Sequence, residues 1–438
     1  MQGETVEARR GNRSHCGESA LVVGAGFSGL MVAYRLALSG QRTCLVDVTN
    51  DSGGVMRDDF IGGRPHLSGC HLIQAHMPEA FGFALPFHRE LVSTSNKVSS
   101  WTQSGGLITR QKGVEGPTTS GDPNEWVPSE TLSSGIREES VADRLSRYPL
   151  KLQKQFGSWV SPLGLNLETT AGESLEALQM KRVFYGPEYH DSLVQIKGHD
   201  PVADDMLGVA PDQPREVLIA RRGYSSWFDG ALEELRALGV CFHPNSAARP
   251  FLRGQEMHLR LRDETISPPM GFWCANPTPL VKALFPGRRL DGPSQLLSAW
   301  HVDVKQVDDP AFAYVQFFGH PAGVTRGTKY VFDGVQRVVV ESIATTRTEI
   351  GKARDSILDA AREVGVQPQT VTGPFTRRAY LTVSIADLAL LQELGGELAN
   401  VGWGHSGLHF FSRPKKLSWL SQEFSRYGFP ASGAATSR

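Results

Sequence analysis

The sequence has no excess of charge of one sign and no long hydrophobic run free of polar residues. Its 438 residues contain 45 lysines and arginines against 46 aspartates and glutamates, a formal net charge of −1 at pH 7. This balance argues against nucleic acid or an anionic membrane surface as a partner. The longest apolar stretch begins at Leu21, but three glycines and Arg35 interrupt it. We therefore expect no membrane-spanning segment.

Cysteine is also scarce, and no two cysteines form a C-x-x-C pair. The five are Cys16, Cys44, Cys70, Cys241 and Cys274. This spacing predicts reduced thiols in a cytoplasmic protein and argues against a disulfide framework or a metal site. The first twenty residues are polar and lack an apolar core, so no secretory signal is expected. With 40% hydrophobic and 21% charged residues, the chain has the composition of a globular protein of two or three structural units.

The strongest motif stands near the amino terminus, in the run LVVGAGFSGL. Gly24, Gly26 and Gly29 form a G-x-G-x-x-G sequence between a predicted strand (20–23) and a predicted helix (30–38). In this pattern the first glycine permits a tight turn, the second lets the backbone approach a pyrophosphate, and the third lets the helix pack on the strand. The free N–H groups and the dipole of the helix N-terminus favour an anion there.

An acidic residue follows at the distance that this motif requires. A second predicted strand (43–47) ends at Asp47, 21 residues after Gly26. Its carboxylate would accept hydrogen bonds from the ribose hydroxyls of a dinucleotide. The unit therefore predicts dinucleotide binding at the start of a doubly wound sheet, and a glycine-rich turn without a ligand is the alternative.

Later segments predict further elements. They are helices over 224–239 and 350–364, strands over 241–243, 312–318 and 329–342, and a long mobile loop over 111–135.

The sequence after Asp47 resembles the superfamily of FAD-dependent amine oxidases and UDP-galactopyranose mutases. Gly53-Gly54-Val55 is similar to the glycine pair that continues the FAD site, and the run SGCHLI (68–73) is similar to the mutase segment beside the flavin. Arg222-Gly223-Tyr224 resembles a later helix start of the superfamily. The run LANVGWGHSGL (398–408) resembles its closing motif, a strand to a glycine followed by a helix. These segments occur in the superfamily's order over nearly the whole chain.

The resemblance implies FAD as the cofactor and an α/β fold, in which an FAD-binding Rossmann-like domain of the glutathione reductase type carries an inserted α+β substrate domain. The implied units are a flexible amino-terminal arm (1–18), a first part of the FAD-binding domain (19–90), a substrate domain (91–220), a second part of the FAD-binding domain (221–290), the sheet of the substrate domain (291–385) and a closing FAD-binding motif with a terminal helix and tail (386–438).

The resemblance also implies residues around the cofactor and the substrate. The expected FAD contacts are Gly24, Gly26, Phe27, Ser28, Gly29, Asp47, Gly53, Gly54, Val55, Ser246, Ala247, Gly402, Gly407 and Leu408. His71 is the first candidate for a proton donor or acceptor, and His405 is the second. The alternatives are a hydrogen bond that fixes a turn for His71 and a place on a helix surface for His405. The expected substrate contacts are Tyr185, Arg337, Trp403 and His409.

The carboxyl-terminal part departs from the mutases, which carry an arginine for the substrate diphosphate and several tyrosines. Here Trp403 follows Gly402, and Leu408 to Phe411 contains no tyrosine. We therefore expect an oxidoreductase that transfers hydride from a small polar metabolite to flavin N5. Two alternatives stay open: a redox-neutral mutase-like isomerase of a nucleotide sugar, and a non-catalytic binding protein with a flavin fold. The sequence is compatible with a homodimer.

Overall fold

The structure is a computed structural model of the chain. It describes residues 16–74, 85–102, 106–109, 139–146, 150–160, 163, 165–172, 174, 216–262, 264–290, 295–305, 312–332, 334–344, 353–379, 383–408 and 413–429.

The strands and helices of these residues are numbered in chain order. The strands are β1 (Ala20–Val23), β2 (Thr43–Val46), β3 (Asp59–Ile61), β4 (Arg64–His66), β5 (Ile73–Gln74), β6 (Leu91–Thr102), β7 (Gly106–Thr109), β8 (Glu216–Ala220), β9 (Cys241–His243), β10 (Ala248–Arg253), β11 (Glu256–Leu261), β12 (Glu264–Ile266), β13 (Gly271–Trp273), β14 (Gln295–Val304), β15 (Phe312–Phe318), β16 (Val324–Phe332), β17 (Val335–Ala344), β18 (Pro368–Ala379) and β19 (Trp403–His405). The helices are α1 (Phe27–Leu38), α2 (Val141–Ser146), α3 (Leu150–Val160), α4 (Tyr224–Ala237), α5 (Thr278–Leu284), α6 (Arg354–Glu363), α7 (Ile385–Asn400) and α8 (Arg413–Arg426).

A five-stranded parallel sheet has the order β19-β13-β1-β2-β9. All residues of β1 and β2 are buried, as expected for parallel strands covered on both faces. Helices α1 and α4 pack on the face that carries Val22 and Leu45. Helix α7 and the antiparallel sheet β10-β11-β12 contribute to the core on the other face, which carries Leu21, Val23 and Val46.

A second, larger sheet has the order β18-β14-β17-β16-β15-β6-β8-β5, and β7 pairs with β6. Its strands are antiparallel apart from the parallel pair β6 and β15. One face packs on α6 through Val338 and Val340. The other face, which carries Tyr330 and Val339, joins the core of the parallel sheet. The hairpin β3-β4 lies between the two sheets, where the hydroxyl of Tyr330 accepts a hydrogen bond from the backbone of Leu67 at 3.1 Å.

Three sequence predictions need correction. The segment 398–401 is the end of α7, and the strand of the closing motif follows Gly402 instead of preceding it. Apolar residues at the end of a half-buried helix look like a short strand, since periodicity cannot separate the two over four residues. The segment 329–342 is two strands, β16 and β17, which turn at Gly334 with φ +74°. Helix α6 begins at Arg354, later than the predicted start.

The predicted mobile loop (111–135) and most of the amino-terminal arm lie outside the described residues. None of the helices in the described ranges combines the length and the apolar character needed to cross a membrane.

Candidate functional site

The glycine-rich turn after β1 is built by close backbone packing. Gly24 has φ +100°, and a Cβ there would lie 2.9 Å from the backbone carbon of Cys274 after β13. A Cβ on Gly29 in α1 would overlap the carbonyl oxygen of Gly24. Both glycines are therefore required by the fold itself. A side chain at Gly24 would push the turn away from the end of β13, and one at Gly29 would push α1 away from the turn.

Gly26, the residue that precedes α1, is different. Its backbone is extended (φ −71°, ψ −178°), a conformation that any residue adopts. A Cβ on Gly26 would meet no atom within 4 Å. Neither conformation nor packing explains glycine here, but the absence of a side chain leaves the N-terminus of α1 open to a ligand. An anion that approaches the free N–H groups of that helix would need this space.

Asp47 follows β2 at the same carboxyl edge of the sheet and holds the turn together. Its Oδ2 accepts a hydrogen bond from the backbone N–H of Ala25 at 2.5 Å. Its Oδ1 accepts from the backbone N–H of Thr49 at 2.8 Å and from the Thr49 hydroxyl at 2.6 Å. Ser246, which follows β9, donates its backbone N–H to the Asp47 carbonyl at 2.7 Å. Asp47 and Ser246 thus lie together beside the glycine turn, and Ala247 is exposed next to them.

A continuous path leads from the glycine turn toward the larger sheet. The backbone N–H of Gly53 donates to the Ala25 carbonyl at 2.7 Å, and Gly26 and Gly53 form an isolated parallel bridge. A Cβ on Gly54 would lie 3.3 Å from the Cα of Gly26. Val55 comes next with 58% of its surface exposed.

The path then reaches Ser68, whose hydroxyl donates to the Val55 carbonyl at 2.8 Å. His71 follows, and its backbone N–H donates to the Gly69 carbonyl at 2.9 Å. A Cβ on Gly69 would lie 3.2 Å from Nε2 of His71 and would overlap Oε1 of Glu341 on β17. The imidazole of His71 and the carboxylate of Glu341 therefore lie around the same glycine.

Glu341 is completely buried and forms an ion pair with Arg326 on β16, with Nε and Oε2 2.6 Å apart. Burial alone would lower the pKa of the Arg326 guanidinium, but Glu341, Tyr314 and Cys70 outweigh it and raise that pKa. Burial, and then the carboxylate of Glu341, raise the pKa of the Cys70 thiol. The site thus contains a fixed and mutually neutralised pair of charges beside a histidine.

The closing motif extends from the amino ends to the carboxyl ends of the parallel strands, along β19. His405 ends β19 beside Trp273, and the Ser406 backbone N–H donates to the Trp273 carbonyl at 3.1 Å. Residues 406–408 therefore lie at the carboxyl edge with the glycine turn. Gly402 lies at the amino edge, since its neighbour Trp403 pairs with Gly271. Gly402 terminates α7: it has φ +75°, and its backbone N–H donates to the Ala399 carbonyl. A residue at the amino edge does not support the predicted contact with the cofactor.

The imidazole of His405 points into the protein. Its Nδ1 accepts from the backbone N–H groups of Gly407 and Leu408 at 3.1 and 3.2 Å, and its ring stacks on Trp419. The residue is 1% exposed, and a Cβ on Gly395 would lie 2.8 Å from its Nε2. His405 thus shapes the turn of Gly407 and Leu408, and neither the predicted catalytic role nor a helix-surface position fits this placement.

Two predicted substrate contacts are also used internally. The indole of Trp403 packs on Gly271 in the core of the parallel sheet and is 2% exposed. The guanidinium of Arg337 on β17 donates to the Pro65 carbonyl at 2.6 Å and fastens the β3-β4 hairpin to the larger sheet. Core packing explains why a tryptophan stands at position 403, and attachment of the hairpin explains the arginine at position 337. Tyr185 and His409 lie outside the described residues.

Comparison with known proteins agrees with this architecture. Residues 22–84 match a family model described as an NAD(P)-binding Rossmann-like domain. No curated protein sequence matches the chain. Among solved structures, a reduced UDP-galactopyranose mutase is similar over 92% of this chain and 93% of its own, with 14% identity and a TM-score of 0.63.

Two other solved structures are similar over 94% of this chain and 98% of their own. One is a fatty acid isomerase from P. acnes that produces CLA, with 14% identity and a TM-score of 0.53. The other is a putrescine oxidase variant with redesigned cofactor binding, with 10% identity and a TM-score of 0.56. The chain has the fold of the FAD-dependent amine oxidase and mutase superfamily. The predicted α/β fold class is confirmed.

Within this superfamily fold, two features of the site escaped the sequence interpretation. Neither Arg326 nor Glu341 is among the site residues that the sequence predicts. A signal existed, because Glu341 interrupts the apolar run VVVESIA of a central strand, where a charge requires a buried partner. The identity of that partner depends on the pairing of β16 with β17, which the sequence alone does not reveal.

Asp58, beside the hairpin, is a second buried acid of this region. Its Oδ2 accepts from the backbone N–H of Ser225 at 2.7 Å in the first turn of α4, and the Ser225 hydroxyl accepts from the Asp58 backbone N–H at 3.0 Å. Burial raises the pKa of Asp58 from 3.8 to about 6, although the hydrogen bonds from Ser225 and Tyr224 oppose the rise. The carboxyl group fixes the start of the helix whose residues cover the glycine path.

Proposed function

We propose that this protein binds FAD and uses it to oxidise a small polar metabolite, with hydride passing from the substrate to flavin N5. The substrate would be an amine, a sugar-like molecule or a biosynthetic intermediate. Gly26 carries the cofactor part of the proposal, because neither its backbone conformation nor its packing requires glycine, whereas a pyrophosphate at the helix N-terminus does. The exposed Val55 on the same path supports an extended cofactor that covers this surface.

The chain's own part in this chemistry is binding and orientation. Backbone N–H groups of the turn at Gly26 and of the first turn of α1 would hold the pyrophosphate. Asp47 would accept from a ribose hydroxyl with the lone pairs that Ala25 and Thr49 leave available. FAD, when bound, supplies the hydride acceptor, so no side chain needs to carry electrons.

At the substrate end, we assign proton transfer to His71. Its imidazole lies at the end of the glycine path and shares the surroundings of Gly69 with Oε1 of Glu341. A carboxylate at this position would stabilise the imidazolium that forms when His71 accepts a proton. The ion pair with Arg326 holds the Glu341 carboxylate in a fixed position beside His71.

A mutase-like isomerase is the second candidate, and the similarity to a reduced UDP-galactopyranose mutase at a TM-score of 0.63 supports it. The arginines weigh against it. Arg326 is paired with Glu341 and therefore offers no uncompensated charge to a diphosphate. Arg337 is 5% exposed and its guanidinium is already engaged by the Pro65 carbonyl. Hydride transfer from a substrate of low negative charge therefore has the better support.

The first experiment is to purify the protein and identify its cofactor. We expect a yellow protein that releases FAD into the supernatant on heat denaturation. Release of FMN, or a colourless protein that FAD does not reconstitute, would refute the cofactor assignment. Anaerobic mixing of the oxidised protein with a metabolite panel then tests the reaction. A metabolite that the protein oxidises reduces the flavin, and the visible absorption band of the flavin is lost.

Activity that requires prior reduction of the flavin, with UDP-galactopyranose and UDP-galactofuranose interconverting, would instead establish the isomerase. The proton-transfer role is tested with His71→Asn. We expect the flavin to stay bound and the rate of flavin reduction to fall by about 10²–10⁴-fold. A reduction rate and pH profile unchanged from those of the unsubstituted protein would rule out His71 as the proton acceptor.

A further inference from the structure

Four residues with metal-binding side chains meet at one edge of the parallel sheet. Cys16 precedes β1, Cys44 lies in β2, and Cys241 and His243 lie in β9, the edge strand. Cys44 pairs with Cys241 in the parallel register, and strand alternation puts Cys241 and His243 on the same face. The fold thus collects residues that are as many as 227 positions apart in the chain.

Their donor atoms are close enough to share one ion. Sγ of Cys16 lies 3.1 Å from Nε2 of His243, and these two atoms and Sγ of Cys44 all lie within 4.8 Å of one another. Around a tetrahedral Zn²⁺, with Zn–S of about 2.3 Å and Zn–N of about 2.0–2.1 Å, donor atoms stand roughly 3.4–3.8 Å apart. The three donor atoms are thus close to the spacing that one tetrahedral ion requires. Cys241 pairs with Cys44 in the parallel register and is the candidate for a fourth ligand.

We propose that Cys16, Cys44 and His243, with Cys241 as the fourth ligand, form a binding site for a zinc-type divalent ion. Thiolate and imidazole together are the donor set that Zn²⁺ takes in closed structural sites. Cys16 and Cys44 are buried. An ion here would fasten the segment of Cys16 to the edge strand β9.

The site also bears on the region of Asp47. Directly after His243, Asn245 and Ser246 donate their backbone N–H groups to the carbonyls of Thr49 and Asp47, at 2.9 and 2.7 Å. An ion that fixes β9 therefore fixes the turn beside the proposed ribose contact. The ligands lie before β1 and on β2 and β9, and not in the glycine turn, so the metal site and the FAD assignment can fail independently.

A disulfide between two of these thiols is the competing explanation. A disulfide would use two of the thiols and leave out the imidazole of His243, whose Nε2 lies 3.1 Å from Sγ of Cys16 and within 4.8 Å of Sγ of Cys44. A metal ion uses the imidazole and the thiols together. The cluster therefore favours a metal over a redox pair.

The test is a titration of the reduced, full-length protein with Co²⁺ as the probe. Difference spectra against the same protein without metal cancel the absorption of any flavin. We expect one equivalent of Co²⁺ to produce thiolate-to-cobalt charge-transfer bands and the intense visible bands of tetrahedral cobalt, and one equivalent of Zn²⁺ to abolish them. Cys16→Ser and His243→Ala should each lose the tetrahedral bands, and Cys70→Ala, which removes a buried thiol elsewhere, should keep them.

Circular dichroism of each variant establishes that it is folded before titration. The proposal is overturned if the reduced protein gives no tetrahedral band at one equivalent, or if folded Cys16→Ser binds Co²⁺ unchanged. It is also overturned if mass spectrometry of protein purified without reductant finds a disulfide among Cys16, Cys44 and Cys241 and the reduced protein then fails to bind Co²⁺.

Discussion

Replacing Gly26 by valine separates the cofactor role of the glycine motif from its structural role. The position has φ −71° and ψ −178°, which valine adopts without strain, and a Cβ there meets no protein atom within 4 Å. The folding cost is limited to a poorer residue at the start of α1, at most about 1 kcal/mol. The valine methyl groups would instead occupy the space through which a pyrophosphate approaches the helix N-terminus.

The expected result is a folded protein without flavin. A ligand present at about 100 times its Kd stabilises the folded state by about 2.7 kcal/mol. Adding FAD should therefore raise the melting temperature of the unsubstituted apoprotein and leave that of Gly26→Val unchanged. Differential scanning fluorimetry with and without FAD measures the shift, and the absorbance of the released flavin measures occupancy.

Two other glycines provide matched controls. Gly29→Ala should prevent folding, because its Cβ would overlap the Gly24 carbonyl oxygen. Gly396→Ala, on α7, meets no atom within 4 Å, and we expect it to stabilise the helix by about 0.5–1 kcal/mol with full FAD content. Normal FAD occupancy in Gly26→Val would refute the reasoning and leave the motif as a turn without a ligand.

The remaining predictions concern buried side chains, and urea unfolding measures all three. Glu341→Gln leaves Arg326 buried without its counter-charge, so we expect a loss of about 3–5 kcal/mol in unfolding free energy. Replacing both residues by leucine, Arg326→Leu with Glu341→Leu, should recover part of this loss. An unchanged urea midpoint in Glu341→Gln would contradict the ion pair. Trp403→Ala should cost about 3–5 kcal/mol by opening a cavity in the core and leave FAD in the folded fraction, whereas lost turnover at unchanged stability would restore the predicted substrate contact. The pKa of Asp58 rises from 3.8 to about 6 on folding, so this group lowers the unfolding free energy by about 3 kcal/mol in total as the pH rises through that interval. Asp58→Asn should remove this pH dependence. Identical pH profiles of stability for Asp58→Asn and the unsubstituted protein would contradict it.

The sequence was sufficient to predict secondary structure wherever residues close together in the chain determine it. The strand, turn and helix around Gly24 were predictable because the glycine spacing, the apolar strand and the helix start all lie within about twenty residues. The observed β1 and the strand Cys241–His243 have the predicted bounds. The helix α1 begins three residues before its predicted start, at Phe27, because Gly26 already precedes the first helical turn.

Long-range pairing explains what the sequence could not supply. The ion pair of Glu341 with Arg326 depends on the register of β16 and β17. The cluster around Cys44 depends on the register of β2 and β9, so the absence of a C-x-x-C spacing said nothing about it. Gly402 was misplaced for a related reason, because its distance from the glycine turn follows only from the parallel pairing of β19 with β13.

The charges at the end of the glycine path restrict the substrate. Bidentate recognition of a diphosphate uses arginine whose charge is not already neutralised. Freeing Arg326 for such a ligand would leave the fully buried Glu341 carboxylate without its partner, at a cost of about 3–5 kcal/mol, and freeing Arg337 would release the hairpin at Pro65. The energy gained at a phosphate would have to exceed these losses. A neutral or cationic substrate meets no such penalty beside His71 and Glu341, and this difference supports the proposed oxidation over rearrangement of a nucleotide sugar.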